Sequence, residues 1–208
     1  VIRRDPEYPR EQRFKVRKHT IQTIFKLFEP LNVQLPKEPA PAEITTAQQV
    51  FLGYLMLDAW IANTDRHHEN WALIQHGENG GSIRRLAPTH DHAASFGAIL
   101  KDNERLERLS TKDRGRSIEA WVRKGRSAFF LNETERKPLL MVEAFEIASQ
   151  FNPEASRFWL EKLDNVTMEM VASVFGRLPS GRISDESTQF AMRVLEINRQ
   201  RLLDLRTK

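Results

Sequence analysis

The sequence of 208 residues contains no cysteine, which excludes a disulfide framework and any zinc site built on thiolates and fits a reducing compartment such as the cytosol. No apolar run approaches the roughly 18 residues needed to span a bilayer, so no membrane partner is expected. The opening VIRRDPEYPREQ has neither an initiator Met nor a signal-like apolar stretch, and the missing Met suggests a fragment whose N-terminal part lies elsewhere. Glycine clusters only in GENGG at 77–81, and no internal repeat is visible.

What is present is enough for a real core: 40% of residues are apolar and 9% aromatic, the proportions of a globular domain. The net charge of +4 is small but unevenly spread, with seven Lys/Arg against three acids in residues 1–18 and five acids against Arg66 alone in residues 38–70. A basic flank beside an acidic centre suits a polyanion held partly through a bound cation, although solvated surface charge produces the same asymmetry.

Along the chain, HTIQTIFKLFEPL places Ile21, Ile24, Phe25 and Phe28 on one face of a helix that ends before Pro30. NVQLPKEPAPAE is a stiff proline-rich connector. Thr46 with Gln49 then forms a capping-box pattern for a helix running to about Ala62. That helix carries apolar residues all round and must be largely buried. Asp58 on its apolar face is either functional or, in the commoner role, a carboxylate that anchors a nearby loop. WALIQHGENGGSIRRLAP reads as two short strands about a turn near Asn79, a fold-back that sets Asn70 opposite about Pro88 and brings Asp91 to the same open end as Asn70 and Asp65. Residues 101–137 hold eleven basic and seven acidic residues and read as a charged loop in which VRKGRSAFF, with Trp121, is a candidate substrate-facing segment. Four further segments to the C-terminus show helical periodicity, giving a mainly α fold with one small β-hairpin.

The densest chemistry lies in IANTDRHHENWAL, residues 61–73. Two carboxylates, two imidazoles, an arginine and two asparagines crowd the boundary between a helix and a strand, where burial is costly and such groups are usually kept for a purpose. Phosphoryl transfer from ATP needs a carboxylate near the attacking hydroxyl, an amide oxygen five positions later on a metal, and a second carboxylate bridging metal to phosphates. Asp65, Asn70 and Asp91 supply that set. The D-x-x-x-x-N spacing is weak by itself and gains weight from the hairpin and DHAASFG that follow.

With NTDRHHEN followed by LAPTHDHAASFG, the sequence resembles the C-terminal catalytic lobe of HipA-type bacterial serine/threonine kinases, most sharply over residues 50–97. The resemblance implies a protein-kinase-like C-lobe spanning 1–208, divided into a helix and connector (1–45), a catalytic loop and metal-binding hairpin (46–97), and a charged loop with C-terminal helices (98–208). It implies Asp65 as general base, His67 as a loop-positioning residue, and Asn70 and Asp91 as magnesium ligands on ATP. It further implies a protein substrate such as an aminoacyl-tRNA synthetase and, for toxin-type members, a DNA-binding antitoxin partner. A kinase also needs a glycine-rich loop and a lysine over the phosphates, and neither is in this chain, so the N-terminal lobe is expected to be separate.

Two other readings compete. His67, His68, His90 and His92 with Asp65 and Asp91 are the ligand types of a metal-dependent phosphohydrolase, although an extended segment points His90 and His92 away from the face of Asp91. The other reading is a non-catalytic, kinase-like interaction module.

Overall fold

The computed structural model describes residues 7–9, 11, 12, 14–77 and 83–207. Its first helix, α1 (Ile21–Phe28), begins where the Thr20 hydroxyl accepts the Thr23 amide, and it buries the four apolar residues of its expected face. The central helix, α2 (Ala47–Ile61), starts on the Thr46/Gln49 capping box, with two N-terminal amides satisfied reciprocally. Its buried residues lie on every side, as an all-round apolar helix at the centre of a core requires.

Around α2 pack α5 (Met141–Ser149), α6 (Pro153–Asp164) and α8 (Asp185–Leu203). α5 contributes Phe145 and α8 contributes Phe190, Val194 and Leu202, all fully buried in the same core cluster as Phe51 and Leu52 of α2. Polar contacts fix the rotation of α2 against its neighbours. The Trp60 indole donates to the Leu195 carbonyl at 3.1 Å, and the Asn198 amide donates to the Trp60 carbonyl at 3.2 Å. Nearer the start of α2, Trp159 of α6 donates to the Gln49 carbonyl and packs on Gly53, where a Cβ would stand 2.6 Å from the indole ring. Only glycine admits so close an approach. α7 (Met168–Phe175) packs on α8. Asn152, Thr167 and Ser184 cap α6, α7 and α8 with their side chains.

The hairpin forms as expected: β1 (Leu73–His76) pairs antiparallel with β2 (Ile83–Leu86). The turn assigned to Asn79 lies outside the described residues. The observed register pairs Leu73 with Leu86 and continues into the Ala87 amide donating to the Ala72 carbonyl at 2.9 Å. Extended by the same rule it brings Asn70 level with Thr89, one residue beyond Pro88. Gln34 of the connector adds a rung by donating to the Arg84 carbonyl and accepting from the Leu86 amide.

Residues 101–137 depart from the loop expected of them. They contain α3 (Asp102–Ser110) and α4 (Ile118–Lys124). α3 is charge-rich and buries no residue, and α4, although it packs Ile118, Trp121 and Val122 inward, has only seven residues, which is why periodicity misses them. α3 combines local devices with packing on α8: Glu104 accepts the Lys101 amide at 2.8 Å, Arg105 pairs with Asp102 at 2.6 Å, and Asp102 accepts the Ser187 hydroxyl of α8 at 3.1 Å. In the candidate substrate-facing segment Val122, Phe129 and Phe130 are buried, Trp121 packs edge-on against Phe190, Arg123, Lys124 and Arg126 are exposed, and Ser127, Ala128 and Phe130 line a cavity shared with His67. No helix among the described residues is long and apolar enough to cross a membrane.

Candidate active site

At the end of α2 the chain must reverse, and Ala62 does so in a left-handed conformation (φ 56°) with its amide donating to the Asp58 carbonyl. The next residue, Asn63, is tied twice to the same turn: its amide donates to the Asp58 carbonyl and its side-chain nitrogen to Asp58 Oδ1, each at 2.8 Å. Asn63 Oδ1 then accepts the Asp65 amide at 3.2 Å. The helix end thus sets the backbone position of Asp65 directly.

Between 65 and 70 the loop is closed by its own polar groups. The Asp65 carbonyl accepts the His67 amide at 2.8 Å and the Asn70 side-chain nitrogen at 2.7 Å. The same Asn70 nitrogen is 3.4 Å from Asp65 Oδ2. A carbonyl only accepts, so Asn70 turns its nitrogen inward and leaves Oδ1 facing away from Asp65. His67 sits with Nε2 at 3.6 Å from Asp65 Oδ1 and accepts the Glu69 amide at Nδ1 at 3.2 Å. Taking up that bond places the proton of a neutral ring on Nε2, toward Asp65. Asp65 is half-buried whereas Asn70 and His67 are buried. Beside them a cavity of about 300 Å³ is lined by Thr64, His67, His68, His19, Phe14 and Phe130 among others.

The group organising this loop is Arg66, the bulkiest fully buried side chain, at 1% exposure. Its Nε and Nη2 donate to the two carboxylate oxygens of Asp58, both at 2.7 Å. Nη1 donates to the Asn70 carbonyl at 2.6 Å and the His90 carbonyl at 3.0 Å, and Nη2 also to the Thr89 hydroxyl at 2.8 Å. Asp58 therefore anchors the loop. Asp91 follows His90 in the left-handed region (φ 52°), with an exposed side chain. It reaches the Asp65–Asn70 loop through this shared guanidinium.

His67, His68, His90 and His92 do not converge on one metal position among the described residues. His90 Nδ1 lies 3.2 Å from its own segment's Pro88 carbonyl, His92 bonds Thr89, and His68 packs edge-on against Tyr8 and His19. Burial lowers the pKa of both His68 and His92, with Arg66 adding to the effect at His92. Among the described residues no three of His, Asp and Glu come close enough to share a metal ion, so the cluster required by the phosphohydrolase reading does not form there.

Three positioning residues escaped the sequence reading: Arg66, Asn63 and His19. Arg66 left a trace as the sole cation in residues 38–70, opposite an Asp on an apolar helix face. His19 left none. It is buried, stacks on Phe129 with ring centroids 4.5 Å apart, accepts the Trp71 indole proton at Nε2 (3.3 Å) and has Nδ1 3.1 Å from the Ala128 carbonyl. Burial pushes its pKa down to about 3.

No family model matches the chain, and no curated protein is similar to it in sequence. Among solved structures it is similar to the Helicobacter pylori proinflammatory kinase CtkA, with a TM-score of 0.58 and 16% identity, over 76% of this chain and 51% of that one. The chain thus spans about half the length of that kinase. At this identity the likeness speaks for architecture: the chain has a kinase-like fold, mostly helical with a small antiparallel hairpin.

Proposed function

We propose that the chain is the catalytic lobe of a HipA-type protein serine/threonine kinase that uses ATP and magnesium. The observation that carries this reading is the joining of Asp65 to Asn70 across five residues, with the Asp91 segment hung from the same guanidinium. The donors suit a hard cation: Asn70 offers an amide oxygen, Asp91 is an exposed carboxylate, and both are oxygen ligands of the kind magnesium takes. Held by Asn70 and Asp91, magnesium would neutralise phosphate charge on ATP.

In this reading Asp65 orients a serine or threonine hydroxyl and takes its proton as that oxygen bonds to the γ-phosphorus and the bridge to the β-phosphate breaks, leaving ADP. His67, through Nε2 beside Asp65 Oδ1, orients the carboxylate. The phosphates also need a glycine-rich loop and a lysine, which we assign to an N-terminal lobe supplied in the same chain or by a partner. A protein substrate such as an aminoacyl-tRNA synthetase, a cytoplasmic setting and a DNA-binding antitoxin are proposed on the HipA resemblance alone.

The test is phosphate transfer from ATP labelled at the γ position, with both lobes present and cell proteins as acceptors. Asp65→Asn is expected to lower transfer by about 10²- to 10⁴-fold, the usual contribution of a general base, while Mg-ATP affinity changes little. Asp91→Asn is expected to weaken Mg-ATP binding as well. Equal transfer by wild type and Asp65→Asn removes the role assigned to Asp65, and no transfer by wild type removes the kinase reading.

A further inference from the structure

We infer that Arg66 is a positioning residue that sets the separation of the two proposed magnesium ligands and holds Asp91 in its left-handed conformation, using Thr89 as an intermediary. The inference rests on the kinase reading above and adds to it a device that the reading does not require. A guanidinium carries five N–H donors in one plane. All five are used here: two on Asp58, one on the Asn70 carbonyl, one on the His90 carbonyl and one on the Thr89 hydroxyl. Burial anchors this fork more deeply than any exposed ion pair, since Asp58 belongs to the central helix.

The distribution of those bonds is what points beyond structural support. A single nitrogen, Nη1, holds both the carbonyl of Asn70 and the carbonyl of the residue immediately before Asp91. The distance between the two ligand-bearing backbones is therefore limited by one atom and two hydrogen bonds. Around Asp91 the segment is closed a second time: the Thr89 oxygen accepts from Arg66 and lies 2.9 Å from His92 Nε2. Having accepted from Arg66, the hydroxyl can direct its own proton to His92, so Thr89 and His92 bracket Asp91 from both sides. A non-glycine residue at φ 52° is uncommon, Asp being among the types that adopt it most readily, and neighbouring hydrogen bonds can hold it there. The bracket and the guanidinium supply those bonds, and they leave the carboxylate exposed.

Lysine cannot reproduce this arrangement, because one ammonium with three donors cannot reach four acceptor groups in a plane. The experiment uses the protein with both lobes and measures Mn²⁺ binding in the presence of ADP by electron paramagnetic resonance, alongside the metal dependence of phosphate transfer and the melting temperature. Thr89→Val keeps the side-chain shape and leaves the Asp58–Arg66 fork in place. It is expected to weaken Mn²⁺ binding about tenfold, to raise the metal concentration needed for half-maximal transfer by a similar factor, and to restore most of kcat at saturating metal. Arg66→Lys is expected to weaken binding by about a hundredfold or more. Unchanged metal affinity in Thr89→Val, with wild type binding and active, overturns the positioning role and leaves the kinase reading standing. Wild type that binds no Mn²⁺ with ADP overturns both.

Discussion

The loop from Asn63 to Asn70 and the helix α3 are opposites. The loop has no regular secondary structure, yet five of its eight residues are buried, and its polar groups are tied to α2, to one another and to the Asp91 segment. α3 has complete helical geometry and no buried residue. Regularity and fixity are therefore separate properties: the helix keeps a regular backbone while largely exposed, through short-range side-chain pairs and contacts with α8, whereas the loop is fixed because most of its buried polar groups bond within it and to the elements around it.

If that contrast is real, the loop must fail sharply when its centre is removed. Arg66→Met strands the Asp58 carboxylate and three other acceptors in the interior. Breaking a buried pair from one side typically costs about 3–5 kcal/mol, and for a chain of this size each kcal/mol lowers the melting temperature by about 2–4 °C. The expected loss is on the order of 10 °C by thermal unfolding. A loss below about 1 kcal/mol breaks the comparison, for it would mean the loop is held by its backbone path alone.

A smaller, graded effect sharpens it. Among the polar groups of this region that respond to acid is His19, bonded to Trp71 just after Asn70. Its pKa is about 3 in the folded protein against an ordinary 6.5. The unfolded chain then binds a proton that the folded one does not between those values, so stability falls as pH drops below about 6.5 and goes on falling toward 3. Near the middle of that window the contribution is about 1.4 kcal/mol per pH unit. Observing the His19 ring by NMR across pH 7 to 4 is the direct check: it stays neutral if the burial is as described, and a midpoint near 6.5 would show that the pocket admits water.

The same contrast explains what could be read in advance. α1, α2 and the last four helices were legible because each buries an apolar face or carries a cap in its own sequence, as Thr46 and Gln49 do for α2. The hairpin was legible to within one residue of register. α3 and α4 were not, since α3 has the charged composition of a loop and the seven residues of α4 are too few for a periodicity to show. In the candidate site, spacing and the hairpin singled out Asp65, Asn70 and Asp91, and the structure ties the first two directly. Arg66 was missed because its partners lie four, eight, twenty-three and twenty-four residues away, and no local pattern records that convergence.

The smallest effect belongs on the other side of the comparison. Leu106 lies in the middle of α3 and is 44% exposed, so replacing it by alanine removes little buried surface. Alanine has the highest intrinsic helix propensity, which offsets part of even that loss. The local pairs that hold α3, Glu104 on the Lys101 amide and Arg105 on Asp102, do not involve the residue at 106. Leu106→Ala is thus expected to change stability by no more than about 0.5 kcal/mol, the range of an ordinary surface substitution. Chemical denaturation of the two proteins side by side measures it. A loss above about 2 kcal/mol would mean that the packing of α3 on its neighbours runs through Leu106, and that its regularity, like the loop's fixity, hangs on one side chain.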